Sequence, residues 1–156
     1  MIIQGLPGAE FGAAQSVSLF DGSSLVSQTL GSDGGRVAIT SKSLTMDGLT
    51  TTVNTSANDV GRGGVIVVHV QQASLSGGAT IIAQNFTADP NAQAAGTVTV
   101  QGLQGAGSMA DSVDLSGFGS GIVSDAFGQA RAGDVAVQAK TISLTNGALI
   151  QAGTPS

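Results

Sequence analysis

The sequence predicts an all-β chain wound as a right-handed parallel β-helix, about five coils of three short strands joined by glycine-rich turns. Three observations carry this expectation. The first is a phrase that recurs: Gly-Gly-Arg-Val-Ala-Ile-Thr from Gly34, Gly-Gly-Val-Ile-Val-Val-His from Gly63, and Ala-Gly-Asp-Val-Ala-Val-Gln from Ala132. Self-similarity at periods of a few tens of residues marks stacked architectures. The second is the alternation of apolar and polar residues after each phrase, in β-branched-rich runs and with no helical period. The third is the placing of glycine at the ends of those runs, where sharp corners are needed.

Taking the elements in order, the marker glycines Gly35, Gly64, Gly96 and Gly133 stand 29, 32 and 37 residues apart. The units they define run approximately 1–33, 34–62, 63–94, 95–131 and 132–156. The first strand of a unit follows the marker, as in Val37 and Ile39, Val98 and Val100, or Val135 and Val137. The second carries Leu44 and Met46, Leu75, Val113 and Leu115, or Ile142 and Leu144. A glycine turn (Gly48, Gly78, Gly147) leads to the third, marked by Val53, Ile81, Ile122 or Ile150. Stacking such units about 4.8 Å apart forms inward ladders: Val37, Ile66 or Val67, Val98 and Val135 in one sheet, Leu44, Leu75, Val113 and Ile142 in another. The parallel crossover is expected to be right-handed.

A longer echo overlies the short one. Ile3-Gln4-Gly5-Leu6-Pro7-Gly8-Ala9 matches Val100-Gln101-Gly102-Leu103-Gln104-Gly105-Ala106, and Ser16-Val17-Ser18-Leu19 matches Ser112-Val113-Asp114-Leu115. The pattern is a three-unit super-repeat in which one unit carries an insertion between its first two strands. The insertions run roughly from Gly5 to Gln15 and from Gly102 to Asp111, and, being three coils apart, should emerge from one edge of the helix. Other folds fit less well. A propeller blade needs about 40–45 residues and usually a tryptophan signature, and calcium-binding nonapeptide rolls need Gly-Gly-x-Gly-x-Asp runs. A left-handed hexapeptide helix needs a strict six-residue beat.

Composition narrows the function. Hydrophobic residues make up 41% and charged residues only 10%, against a usual charged share of about 25%; the chain has a core and a surface of Ser, Thr, Asn, Gln and Gly. A net charge of −5 argues against a nucleic-acid partner, because phosphate binding needs clustered Lys and Arg, and Arg36, Lys42, Arg62, Arg131 and Lys140 are scattered. Cysteine is absent, which removes disulfides and thiolate metal sites. No run approaches the ~20 apolar residues of a membrane-spanning helix. The first residues, Met-Ile-Ile-Gln-Gly-Leu-Pro-Gly, read as the middle of a repeat and not as a secretory signal, so the chain is expected to be a single β-helix fragment of a longer repeat protein.

The runs Gly-Arg-Gly-Gly-Val-Ile-Val-Val, Ala-Ser-Leu-Ser-Gly-Gly-Ala-Thr-Ile and Ala-Gly-Asp-Val-Ala-Val-Gln-Ala-Lys-Thr-Ile-Ser-Leu-Thr-Asn-Gly-Ala-Leu-Ile-Gln-Ala resemble the passenger repeats of filamentous haemagglutinin-like exoproteins. The resemblance covers essentially the whole chain, most clearly 34–152. It implies a long right-handed β-helical fibre on the bacterial surface or secreted from it, exported by two-partner secretion through an outer-membrane barrel, with adhesive contacts to host or environmental glycans or proteins. The Asn-Pro-Asn-Gly-like signatures of that family's secretion domain are absent, so the resemblance implies shaft and not export signal. It implies no cofactor and no catalysis; the alternatives are a carbohydrate-active β-helix such as a polysaccharide lyase, or the shaft of a toxin-delivery fibre.

Individual residues offer few sites. His69, the one histidine, reads as an outward strand residue. Asp21, Asp33, Asp47, Asp59, Asp125 and Asp134 read as turn residues, with structural calcium as the alternative. A lyase would want a basic residue beside a carboxylate cluster, for which Arg131, Asp134 and Lys140 are the only suggestion. Asn54-Thr55-Ser56 and Asn85-Phe86-Thr87 are acceptor sequons. Asp89-Pro90 reads as a loop turn. Phe11, Phe86, Phe118 and Phe127 are expected in loops or insertions, away from ladder positions. If any edge binds a ligand, it is the one that carries the two insertions.

Overall fold

Alternating side chains give each strand one apolar face, and strands this short bury that face only when equivalent strands cover it above and below. The computed structural model, which describes residues 1–58, 61–87, 89 and 94–153, satisfies that need with a parallel β-solenoid of five coils. Coil 1 holds β1 (Ile2–Ile3), β2 (Ala14–Phe20) and β3 (Ser24–Leu30); coil 2 holds β4 (Arg36–Asp47) and β5 (Thr52–Asn58). Coil 3 holds β6 (Val65–Ser76) and β7 (Thr80–Thr87); coil 4 holds β8 (Thr97–Gln101), β9 (Ala110–Ser116) and β10 (Gly121–Gly128). Coil 5 holds β11 (Val135–Val137), β12 (Ala139–Thr145) and β13 (Leu149–Gly153). The third strands form a five-stranded sheet, β13-β10-β7-β5-β3, and the first and second strands form an eight-stranded sheet that turns a corner.

The ladders refine the sequence reading. Val37, Ile66, Val98 and Val135 lie in one register, so Ile66 points inward and Val67 does not. In the second sheet the ladder is Val17–Leu44–Ala73–Val113–Ile142, while Leu75 stands one inward position further on, with Leu19, Met46, Leu115 and Leu144. The expected Leu44–Leu75 pairing was two residues out because Ala73, small but buried, carries little apolar signal. Leu25, Val53, Ile81, Ile122 and Ile150 complete the third ladder. Ile66, Leu75 and Ile81 are wholly buried, each such side chain contributing about 1.5–3 kcal/mol.

Two further differences are physical. In coils 2 and 3 the first two strands are one continuous twelve-residue strand, not two strands joined by a turn. The chain rounds that corner by placing two successive residues, Lys42-Ser43 or Gln71-Gln72, away from the core between buried Ser41 and Leu44 or Val70 and Ala73. The marker glycines also serve a purpose other than a left-handed turn: their φ values are not positive, unlike those of Gly48 and Gly147 at the next corner. A Cβ on Gly96 would run into the Gly64 carbonyl of the coil beneath. Close approach of successive coils, and not turn geometry, requires glycine there.

Candidate functional site

The insertions interrupt only coils 1 and 4, immediately before the corner that coils 2 and 3 round without a break. Each is closed at its neck by its own backbone. In the first, residues 4–13, Gly5 N donates to Gly12 O at 2.7 Å, and a 3₁₀ turn at Glu10–Gly12 follows. In the second, residues 102–109, Gly102 N donates to Ser108 O at 3.1 Å and Ser108 Oγ to Gly105 O at 2.6 Å. A Cβ on Gly102 would lie 2.6 Å from Met109 O, so this neck needs glycine, as does its echo at Gly5. Three coil spacings, about 14 Å, separate the two loops.

Between them lies a cleft of about 540 Å³, within the range of ligand-binding pockets. Glu10 and Phe11 form one wall, Leu103, Gln104, Ser108 and Met109 the other, and Lys42, Val70 and Gln71 the floor. Phe11 adopts φ 55° and ψ 20°. An aromatic residue in the left-handed region is a genuine outlier, and holding it there costs about 1–3 kcal/mol. Its ring is half exposed, as is the Met109 side chain opposite.

The polar groups come from the corner. The registers on either side align Gln15, Lys42, Gln71, Asp111 and Lys140, one residue per coil. Lys42 Nζ lies 3.4 Å from Glu10 Oε2, and Lys140 Nζ lies 2.6 Å from Asp111 Oδ1. The Lys140 hydrogen bond, a second from Gln71, and the Lys140 charge hold the Asp111 carboxyl below its ordinary pKa. Exposed pairs of this kind add little stability. Their effect is to set donors and acceptors at coil spacing along the cleft with both charge signs balanced.

Beside the second loop, His69 is registered with Gln101. The Gln101 amide nitrogen lies 2.9 Å from His69 Nε2; an amide nitrogen only donates, so Nε2 accepts and the ring proton sits on Nδ1. Burial, and then the Arg36 charge, lowers its pKa from the ordinary 6.5. The ring supports the loop base and does not line the cleft.

Of the residues singled out by sequence, Lys140 meets Asp111 and not Asp134; Arg131 and Asp134 lie on the segment before β11. Among the described residues no three His, Asp or Glu side chains are grouped to hold a metal ion. Asp33 Oδ1 accepts from Arg62 N at 2.8 Å and Asp47 Oδ1 from Ser76 Oγ at 2.6 Å, each tying one coil to the next. Asp125, expected near a turn, is a nearly buried residue of β10; burial raises its pKa against the opposing hydrogen bond from Gln151. Asp59 and Pro90 lie outside the described residues.

Asn85 is wholly buried, with Nδ2 donating to Gly61 O at 2.8 Å. A modifying enzyme has no access to it in the folded chain. In the other sequon, Asn54 is half-buried and Ser56 buried. Phe86 and Phe127, expected in loops, belong to β7 and β10 and stack in register, centroids 4.7 Å apart and 7° from parallel. Phe118 is 90% exposed in the turn before β10. Lys42, Gln71 and Glu10 were not anticipated; the one signal for them was the edge on which the insertions emerge. Compared with known proteins, the chain matches no family model, no curated protein and no solved structure.

Proposed function

We propose that the chain is a structural and adhesive shaft segment of a large secreted or surface-exposed bacterial exoprotein, of the filamentous haemagglutinin-like kind, exported with an outer-membrane barrel partner. Its work is attachment, without catalysis or cofactor. The observation that carries the reading is the cleft: two loops of echoed sequence, held a fixed distance apart on a ladder of parallel hydrogen bonds, frame a strained aromatic and a row of alternating polar groups. A rigid scaffold that repeats such a feature along its length gains avidity from multivalency. The contacts it offers are a ring for an apolar face and amides, a carboxylate and ammonium groups for hydroxyls, which suit surface glycans or uncharged polar protein loops better than polyanions.

The test is bead adhesion to cultured epithelial cells, comparing beads coated with the chain, with a Phe11→Ala/Gln71→Ala variant, and with albumin. The chain should retain at least fivefold more beads than albumin, and the variant should fall to the albumin level with its circular dichroism unchanged. Periodate treatment of the cells, which cleaves vicinal diols, separates glycan from protein partners. Equal retention by chain and albumin would refute adhesion, and equal retention by chain and variant would refute the cleft as its seat.

A further inference from the structure

The cleft continues past the corner. Lys42, Gln71 and Asp111, which line it, are each followed directly by a residue on the outer face of the second strands: Ser43, Gln72 and Ser112. On that face lies a trough of about 330 Å³, lined by these three and by Thr45, Ser74 and Asp114 two positions further along the same strands. The registers set them in two rows across coils 2 to 4, Ser43–Gln72–Ser112 and Thr45–Ser74–Asp114, with a further coil on either side. Neighbours within a row are about 4.8 Å apart, and the rows about 6.6 Å. Among the described residues, the side chains of Thr45, Gln72, Ser74, Ser112 and Asp114 enter no hydrogen bond or ion pair within the chain.

The charges and the polar groups narrow what could lie there. Both ammonium groups of the cleft are paired, Lys42 with Glu10 and Lys140 with Asp111, and the trough holds no cation and one carboxylate, Asp114. Neither hollow offers a free cation to an anionic ligand. The apolar residues of the trough, Leu44 and Ala73, keep their side chains buried, so its surface is hydroxyl, amide and carboxylate. Protein interfaces are poor in serine and anchored by aromatic residues, which the trough lacks. A ligand covered in hydroxyls finds donors and acceptors throughout.

We propose that cleft and trough are one binding surface for an unbranched, uncharged oligosaccharide. One sugar stacks on the Phe11 ring, and the following sugars pass round the corner to hydrogen-bond with Gln72, Ser74 and Asp114. The inference rests on the adhesive reading of the cleft and gives it a ligand class and a length: a short sugar is held in the cleft alone, and only a longer chain reaches Gln72. Asp114 sets specificity, accepting from sugar hydroxyls and repelling sulfated or sialylated chains.

The test offers beads coated with the chain to a printed array of neutral, sialylated and sulfated oligosaccharides, from disaccharides to hexasaccharides. One neutral series should hold at least tenfold more beads as the hexasaccharide than as the disaccharide, and its charged counterparts should hold fewer than the neutral chain. Gln72→Ala/Ser74→Ala should lose the gain with length and keep the retention seen on the disaccharide, its circular dichroism unchanged. Asp114→Asn should raise retention on the charged counterparts about fivefold, the effect of removing one like charge at about 4 Å in water. Equal retention at every length, a gain with length that survives Gln72→Ala/Ser74→Ala, or a preference for charged chains would overturn the proposal. Adhesion to epithelial cells with no retention on any neutral oligosaccharide would also overturn it while leaving the adhesive reading standing; adhesion to neither would end both.

Discussion

Truncating one ladder residue in the middle of the solenoid and its counterpart at the end separates stacking from mere apolar content. Leu75 lies fully buried between Met46 and Leu115, whereas Leu144, two coils below in the same ladder, is 43% exposed. Leu→Ala removes three carbon centres, a transfer cost of about 2.4 kcal/mol when burial is complete. At Leu75 the hydrogen-bonded coils above and below cannot close on the space, so a cavity term adds to this and the total reaches about 4 kcal/mol, in the upper part of the range for such substitutions. At Leu144 roughly half of that transfer cost applies, about 1.4 kcal/mol, and no enclosed cavity forms. Urea unfolding followed by far-ultraviolet circular dichroism, at equal low chain concentration, measures both. Leu75→Ala should exceed Leu144→Ala by about 2–3 kcal/mol. Equal costs would refute the reasoning, since they would mean that coverage by neighbouring coils does not set a residue's contribution.

Three other outcomes follow from the structure. The folded chain disfavours protonated His69, so its contribution is fully present above the ordinary pKa of 6.5 and is lost as the pH falls through that value toward the lower folded one; His69→Gln should flatten that part of the stability profile. Asn85→Asp replaces the donor to Gly61 O with a carboxylate, and should cost at least about 3 kcal/mol at neutral pH, with partial recovery in acid as the carboxyl regains a proton. A double-mutant cycle on Phe86 and Phe127 to Leu should give a coupling of about 0.5–1.5 kcal/mol for the stacked rings; a value near zero would show that the rings do not interact.

The coil was legible in the sequence because its signal is periodic and apolar: Val37, Val98, Val135 and Ile81 each sit where the alternation put them. So was the edge of the insertions, through the echo of Gly5-Leu6 in Gly102-Leu103. The cleft floor was not. Lys42 and Gln71 are outward polar residues that carry no apolar period, and the second insertion shifts Asp111 out of the spacing that relates them. Phe86 and Phe127 were misplaced because β7 and β10 run on past their large apolar residues, into a stretch whose buried positions are Asn85 and Ala126 and carry little apolar signal. The marker glycines were correctly located and wrongly explained. A sequence shows that a side chain is missing; only the structure shows that the Gly64 carbonyl occupies its place.

The most direct measurement removes one wall of the cleft while keeping the solenoid. Coils 2 and 3 round the corner without an insertion, so deleting residues 102–109 and joining Gln101 directly to Ala110 makes coil 4 resemble coil 3. Circular dichroism and thermal unfolding should stay close to those of the parent chain, and bead adhesion should fall to the albumin level. A shortened chain that keeps its fold and adheres as well as the parent would contradict the claim that the paired loops form the contact site.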